Sequence, residues 1–406
     1  MSNILLKNIK KIYRVSSEND AVPLSMFIKD GIIQDIADYE HLVESYDKHV
    51  LNESEVIDCS DCIILPGFVD SHTHLLFYGS REAELYMRAE GRSYLDILKQ
   101  GGGIYNTVHA VRKASEEELI KNGLTYLDKA LGFGTTTIEV KTGYGLDYET
   151  EKKMLRVMQK LNKLHPVDIV PTFLVHTVPK DTDRGKYIDL VAQKMIPEFR
   201  EYADWFDIFL EKGVFELGEG ERLIRNAMDA GFHVGIHTNQ VHDIGGVKLA
   251  AELGARHVDH LEVLDKADAR RIIDTETLYP VFLPMAESYV FSQHVGQIHQ
   301  LLNIPSRIVL STDFNPGSSP VLSPQLIMAQ AVLRYRISDP FLLIDSFTSN
   351  PAEMLYLHDR GRIEKGSQAD ILIMALDRFE QIPYWGTMSH IKYIVKNGSL
   401  VIQAPH

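Results

Sequence analysis

Residues 63–77 read IILPGFVDSHTHLLF, an apolar run that ends at Asp70 and is followed by His72 and His74. On an extended chain residues i and i+2 point the same way, so both imidazoles aim at one point, which suits a divalent metal. His-x-His alone is a common accident, and its weight depends on the chain downstream of it.

Downstream, the chain alternates steadily. TTTIEVKTG, VDIVPTFLVH, WFDIFLE, HVGIH, RHVDHLE, LYPVFLP and RIVLSTDF read as strands, with amphipathic helical stretches between them. Ser115 ahead of Glu117 and Glu118 is a helix N-cap signal, and a further helical stretch is expected near 292–302. With the opening strand this makes eight strand–helix units, which predicts parallel strands joined by crossovers and closed as a (β/α)8 TIM-type barrel. The two ends have another texture. Asp30-Gly31 and Asn397-Gly398 sit between alternating apolar runs, a hairpin signal. The expected fold is therefore α/β. Residues 63–362 form the barrel, and 1–62 with 363–406 form one small β-rich accessory domain built from both termini.

Active groups of such barrels lie at the C-terminal ends of the strands. Here those ends carry His72 and His74, Lys141 and Tyr144, His176, Glu211, His237, His260 and Asp313. One such histidine is more often a satisfied structural residue, but five with an aspartate at one end of one barrel are not. A third nitrogen from His237 and an oxygen from Asp313 would leave one coordination position open, the catalytic pattern for zinc, and iron or manganese accept the same set. In STDFNPGSSP, Asp313 would face the metal while Asn315, Gly317 and Ser318 offer hydrogen bonds to a polar ligand; the plainer alternative is an ordinary strand–helix loop. Arg81, just after the first strand, is a natural fork for a carboxylate. The glycine run at 100–104 lacks the lysine of a phosphate loop.

The 406 residues carry a net charge of -14, with 45% hydrophobic and 24% charged residues, which is globular composition unsuited to a polyanionic partner. No nucleic acid or membrane partner is expected, because no apolar run approaches the roughly 18 residues that span a bilayer. The N-terminus lacks the apolar core of a signal peptide. The two cysteines, Cys59 and Cys62, have no second pair with which to bind zinc, so they read as thiols in a reducing compartment, and a cytoplasmic location is expected.

These residues also carry a family resemblance. PGFVDSHTHLLF resembles the first barrel strand of the amidohydrolase superfamily, and the β-rich termini resemble its accessory domain. HTHLLFYGSRE, KTGYGLDYETEKKML, LVHTVP, GGVKLAAELGARHVDHL and STDFNPGSSP are similar, within it, to the imidazolonepropionase family. The resemblance implies a metal-dependent hydrolase that opens a small anionic cyclic amide, 4-imidazolone-5-propanoate, to N-formimidoyl-L-glutamate in histidine degradation. It implies one zinc or iron ion on His72, His74, His237 and Asp313, with Arg81 and Tyr144 at the propionate and His176 on the substrate. It also implies Asn315, Gly317 and Ser318 in a binding loop, catalytic work for Asp313, His176 and His260, and a homodimer. Glu211 stands where binuclear relatives carry a bridging group, but Lys212 should point away, which favours one metal.

Two departures bear on the substrate. The family usually reads His-Ala-acid-Glu/Gln at the fifth strand, and this chain reads His237-Thr238-Asn239-Gln240; PMAES, with Met285, replaces PGT after the seventh. Gln240 is expected to be a neutral hydrogen-bonding partner of the ring. The alternatives are a deaminase of a cyclic amidine or purine-like ring, which wants a glutamate at position 240, and a non-catalytic assembly protein, which would have lost ligands that are all present here.

Overall fold

The computed structural model describes residues 3–14, 23–92 and 102–403, so Gln100 and Gly101 of the glycine run lie outside the described residues. Eight parallel strands follow one another in chain order: Phe68–Asp70, Thr135–Lys141, Asp168–Val175, Trp205–Leu210, His233–Thr238, His257–His260, Tyr279–Phe282 and Val309–Leu310. Between the last and first strands the wall is closed by a parallel bridge of Thr73 with Phe314. Asp313 N–H donates to the His72 carbonyl at 3.0 Å, and His74 N–H to the Phe314 carbonyl at 2.9 Å. The seam is thus closed by the backbone of three of the four expected metal ligands.

The helices cover the outside. Glu116–Gly132 starts in a capping box of Ser115 with Glu118, and Tyr148–Leu164 is capped by Asp147. The helical stretch after the third strand is broken into Arg184–Leu190, a π turn at Val191–Met195 and Ile196–Phe199. Pro197 explains the break, because it has no N–H for the preceding turn and its ring pushes that carbonyl away. After the seventh strand the chain departs from expectation. The helix is Pro284–Tyr289, started by a proline in its first turn, and the 292–302 stretch holds only the 3-10 turn Ile298–Leu301.

The termini build two sheets where one was expected. Ile32–Asp38, Leu24–Lys29, Ile4–Ile9 and Glu55–Asp58 form a sheet from the N-terminal chain alone. Ser399–Gln403, Ile391–Lys396, Ile371–Met374, Ile63–Pro66 and Lys11–Ile12 form the second, from both ends. The reason is the apolar alternation. Ile4, Leu6, Met26 and Ile28 of one sheet and Ile64, Ile371, Ile373 and Val395 of the other share one buried core, so two faces are needed to close it. The opening stretch is therefore two strands. Ile63–Pro66 pairs antiparallel with Ile371–Met374, Gly67 donates its N–H to the Asp370 carbonyl, and Phe68–Asp70 enters the barrel.

Both hairpin turns form as read, with φ of 52° and 82° at Asp30 and Gly31 and of 50° and 68° at Asn397 and Gly398. They also abut, since a Cβ on Gly398 would lie 2.7 Å from the Gly31 Cα. Gly398→Ala is accordingly expected to cost on the order of 1–3 kcal/mol of stability through strain and contact. Urea unfolding measures it, and an unchanged midpoint would show that the turns do not constrain each other.

Candidate active site

At the C-terminal rim His72, His74, His237 and Asp313 are between 0 and 4% exposed. One ligand-type atom from each of the three histidines lies within 4.8 Å of the others. Asp313 Oδ1 is 3.4 Å from His74 Nε2 and 3.7 Å from His72 Nε2. The four residues come from strands separated by most of the chain, so the barrel, and not local sequence, assembles them.

Each ring is oriented from behind. Asp259 Oδ2 accepts from His72 Nδ1 at 2.7 Å, and Asp207 Oδ1 accepts from His237 Nδ1 at 2.9 Å. A carboxylate only accepts, so both Nδ1 atoms donate and each Nε2 is the nitrogen turned toward the mouth. Those Nε2 atoms are buried and have no hydrogen-bond partner. Two orphaned buried nitrogens converging with a third imidazole and a carboxylate fit a metal ion, and this donor set suits zinc or iron. Burial first, then the Lys141 charge, holds His72 well below the ordinary imidazole range, and burial with His237 does the same for His74. Neutral imidazoles are what a metal needs.

The neighbouring groups differ in their charge. Burial and then the neighbouring His74 and His237 keep His176 far below its usual value, and its ring lies 5.8 Å from that of His74. For His260 burial opposes charge, but the Glu262 carboxylate, hydrogen-bonded to its Nδ1 at 3.2 Å, outweighs it and pushes the group up to about 9. His260 sits at φ 84°, a strained backbone held at the rim. Tyr144 is buried with its ring 6.0 Å from that of His74 and 6.1 Å from that of His176. Arg81 is pinned by two 2.8 Å bonds from Nε and Nη2 to Glu84. Gly317 passes so close that a Cβ there would meet Arg81 Nη1 at 2.4 Å.

Several expectations change. Asn315 spends its side chain inside its own loop: Oδ1 accepts from the N–H of Gly317 at 2.8 Å and of Ser318 at 2.7 Å, and Nδ2 donates to the Asp313 carbonyl at 2.7 Å. Asn315 and the Gly317 N–H therefore shape the loop that carries Asp313. Glu211 is engaged by the loop that follows the fifth strand. It accepts from Val241 N–H at 3.0 Å and from His242 N–H and Nδ1 at 3.1 and 2.8 Å, tying down the loop after Gln240, while Lys212 is exposed. Asn239, the main departure from the family pattern, points away from the mouth. It is buried, with Nδ2 on the Val263 carbonyl at 3.0 Å and on Asp268 at 3.3 Å. Half-buried Gln240 makes no side-chain hydrogen bond among the described residues, and Met285 is packed in the main apolar core.

Sequence reading missed Asp70, Asp207, Asp259 and Glu262. Asp70 ties the first strand to the eighth by accepting from Ser311 Oγ and from Thr312 N–H and Oγ1, and burial pushes it up to about 6. The signal was an acid inside an apolar strand, as in WFDIFL and HVDH, because a buried charge needs a partner.

The Amidohydrolase family matches residues 63–401. An imidazolonepropionase of Bacillus cytotoxicus is 36% identical over 98% of this chain and 97% of its own length. That of Alkaliphilus metalliredigens is 39% identical over 86% and 83%. Among solved structures, a 5-methylcytosine deaminase from Klebsiella pneumoniae liganded with 5-fluorocytosine superposes with a TM-score of 0.76 at 15% identity, covering 100% of this chain and 98% of that one. A guanine deaminase from C. acetobutylicum with bound guanine gives 0.71 at 14% identity, covering 99% and 100%. At such identity the superpositions speak for the fold alone. The chain belongs to the amidohydrolase family, whose barrel and metal-type cluster it carries. Within that family it stands with the imidazolonepropionases, as a hydrolase of the C–N bond of cyclic amides.

Purified protein is expected to hold one metal ion per chain, and His237→Ala to lose it. Elemental analysis after exhaustive dialysis decides this, and full metal retention by the variant would remove His237 from the ligand set.

Proposed function

We propose that this chain hydrolyses 4-imidazolone-5-propanoate to N-formimidoyl-L-glutamate, with His72, His74, His237 and Asp313 holding one zinc or iron ion. The observation that carries the substrate is the likeness to imidazolonepropionases over nearly the whole length of both chains. The fit of the orphaned Nε2 atoms to a cation supports the ligand set. When bound, the metal supplies a Lewis acid that acidifies water and polarises the ring carbonyl.

The protein's own groups do the rest. Arg81, fixed in one orientation by Glu84, takes the propionate, and Tyr144 closes the same end. His176 and Gln240 contact the ring, and Ser318 lines its edge beside Gly317. Asp313 accepts the proton of the attacking water, whose oxygen bonds to the carbonyl carbon. His260, with Nδ1 on Glu262, donates from Nε2 to the oxygen on which negative charge grows. As the C–N bond breaks, the proton held by Asp313 passes to the leaving ring nitrogen. Gln240 cannot shuttle a proton, which weighs against a deaminase. Free, buried Cys59 and Cys62 support the cytoplasmic reading. A homodimer is expected and sedimentation tests it. Among the described residues no helix is long and apolar enough to cross a membrane.

The deciding assay offers freshly made imidazolone propionate beside cyclic ureides and purines. Turnover confined to a purine would overturn the proposal. Arg81→Ala should raise KM by roughly 10–100-fold, the value of a charge-assisted hydrogen bond of about 1.5–3 kcal/mol. An unchanged KM would place the carboxylate elsewhere. The sign of the pH dependence comes from His260. Its charged form is complete below the ordinary imidazole value and is lost as pH rises through about 9. kcat/KM is expected to fall on that alkaline limb, and Glu262→Gln to move the limb to lower pH; a limb that does not move would end this role for His260.

A further inference from the structure

Beneath the ligand histidines the barrel interior is charged, and the steps proposed above give Glu139 and Lys141 no part. Glu139, Lys141, Asp207 and Asp259 are between 0 and 1% exposed. Lys141 Nζ donates to Glu139 Oε1 and to Asp207 Oδ2, both at 2.7 Å, and lies 3.8 Å from Asp259 Oδ2. Asp207 Oδ1 holds His237 Nδ1 at 2.9 Å, and Asp259 Oδ2 holds His72 Nδ1 at 2.7 Å. The other Asp259 oxygen accepts from His257 Nδ1 at 2.7 Å. Each carboxylate therefore has an imidazole of the rim on one side and the ammonium or a lower imidazole on the other.

We propose that Lys141 is a positioning residue for the metal centre: its ammonium locks Asp207 in the orientation that fixes His237 as the Nδ1–H tautomer, with its Nε2 turned to the metal, while Asp259 behind His72 is held by His257 instead. The inference rests on the reading that these histidines hold a metal. A carboxylate bonded on both oxygens cannot rotate, and an imidazole whose Nδ1–H is held cannot flip. Lys141 itself is held from three sides, and those acids keep it charged above the ordinary lysine range in spite of burial.

Charge alone predicts the opposite outcome. Asp207 and Asp259 carry two negative charges against one positive charge on Lys141, so deleting the ammonium makes the floor of the site more negative and should tighten a cation. Positioning predicts that the cation is held more loosely, because Asp207 is freed to turn. A third possibility is that Lys141 only fills a cation position, since donor atoms of Asp207, His237 and Asp259 all lie within 4.8 Å of one another. Deletion would then admit a second ion.

The test compares the zinc-loaded full chain with Lys141→Met and with Lys141→Met/Glu139→Gln. The double variant removes an acid together with the ammonium and so spares the fold an unpaired charge. Release of zinc to a colorimetric chelator is followed well below each variant's melting temperature. Release faster by about 10–100-fold, the usual effect of losing a group that orients a ligand, supports the proposal. Release slower than or equal to wild type in a folded variant, or two zinc ions per chain, overturns it. A second readout is independent of loading. Nitrogen-15 spectra of the metal-free chain, assigned with His72→Gln and His237→Gln, should show both rings protonated at Nδ1 in wild type and, in the Lys141 variants, mixed tautomers at His237 with His72 unchanged. An Nε2–H tautomer in wild type overturns the proposal even where neither Lys141 variant folds. Failure of the wild-type chain to hold either zinc or iron would instead remove the metal reading itself.

Discussion

Two buried carboxylate–imidazole pairs carry the centre. Asp207 with His237 and Asp259 with His72 stand in a barrel interior where moving an ion out of water costs several kcal/mol. Isolated acids there would protonate. Instead their neighbours hold both well below the ordinary carboxylate range, although burial pulls the other way. What is gained is direction more than stability. An acceptor behind each ring decides which nitrogen donates to it, and therefore which one looks into the mouth.

The rim around that mouth is strained, and the strain is local. Asn239, His260, Leu261 and Asp313 all have φ between 49° and 84° although none is glycine. Such residues cost on the order of 1–3 kcal/mol each and persist where the surroundings over-determine them. Here the surroundings are the parallel ladders below and the loop bonds above. The backbone of His72 and Asp313 is itself the closing seam of the barrel, so the fold cannot close without bringing these two residues together.

The departures from the family pattern sort by where their side chains go. Asn239 faces Asp268 and the carbonyl of Val263, so an amide that donates is satisfied where a second acid would crowd a carboxylate. Met285 is a packing residue. Neither side chain joins the cluster of His72, His74, His237 and Asp313 at the rim. Glu211, which looked like part of a metal site, is what keeps the strand-five loop in place behind Gln240.

Much of this was legible in the chain. Alternating strand and helix patterns determined a parallel barrel, because parallel neighbours need a crossover between them. Asp30-Gly31 and Asn397-Gly398 determined their turns, because few residues accept positive φ. The rule that chemistry collects at the C-terminal ends of barrel strands picked out His72, His74, His237 and Asp313. Tertiary structure alone decided how the termini divide into two sheets, because a shared core depends on which faces meet. It alone turned Asn315 and Glu211 inward as loop ties and placed Lys141 among three acids. Those outcomes depend on the direction of a side chain and, as with Lys141 and Asp207, on a partner 66 residues away, which no local pattern encodes.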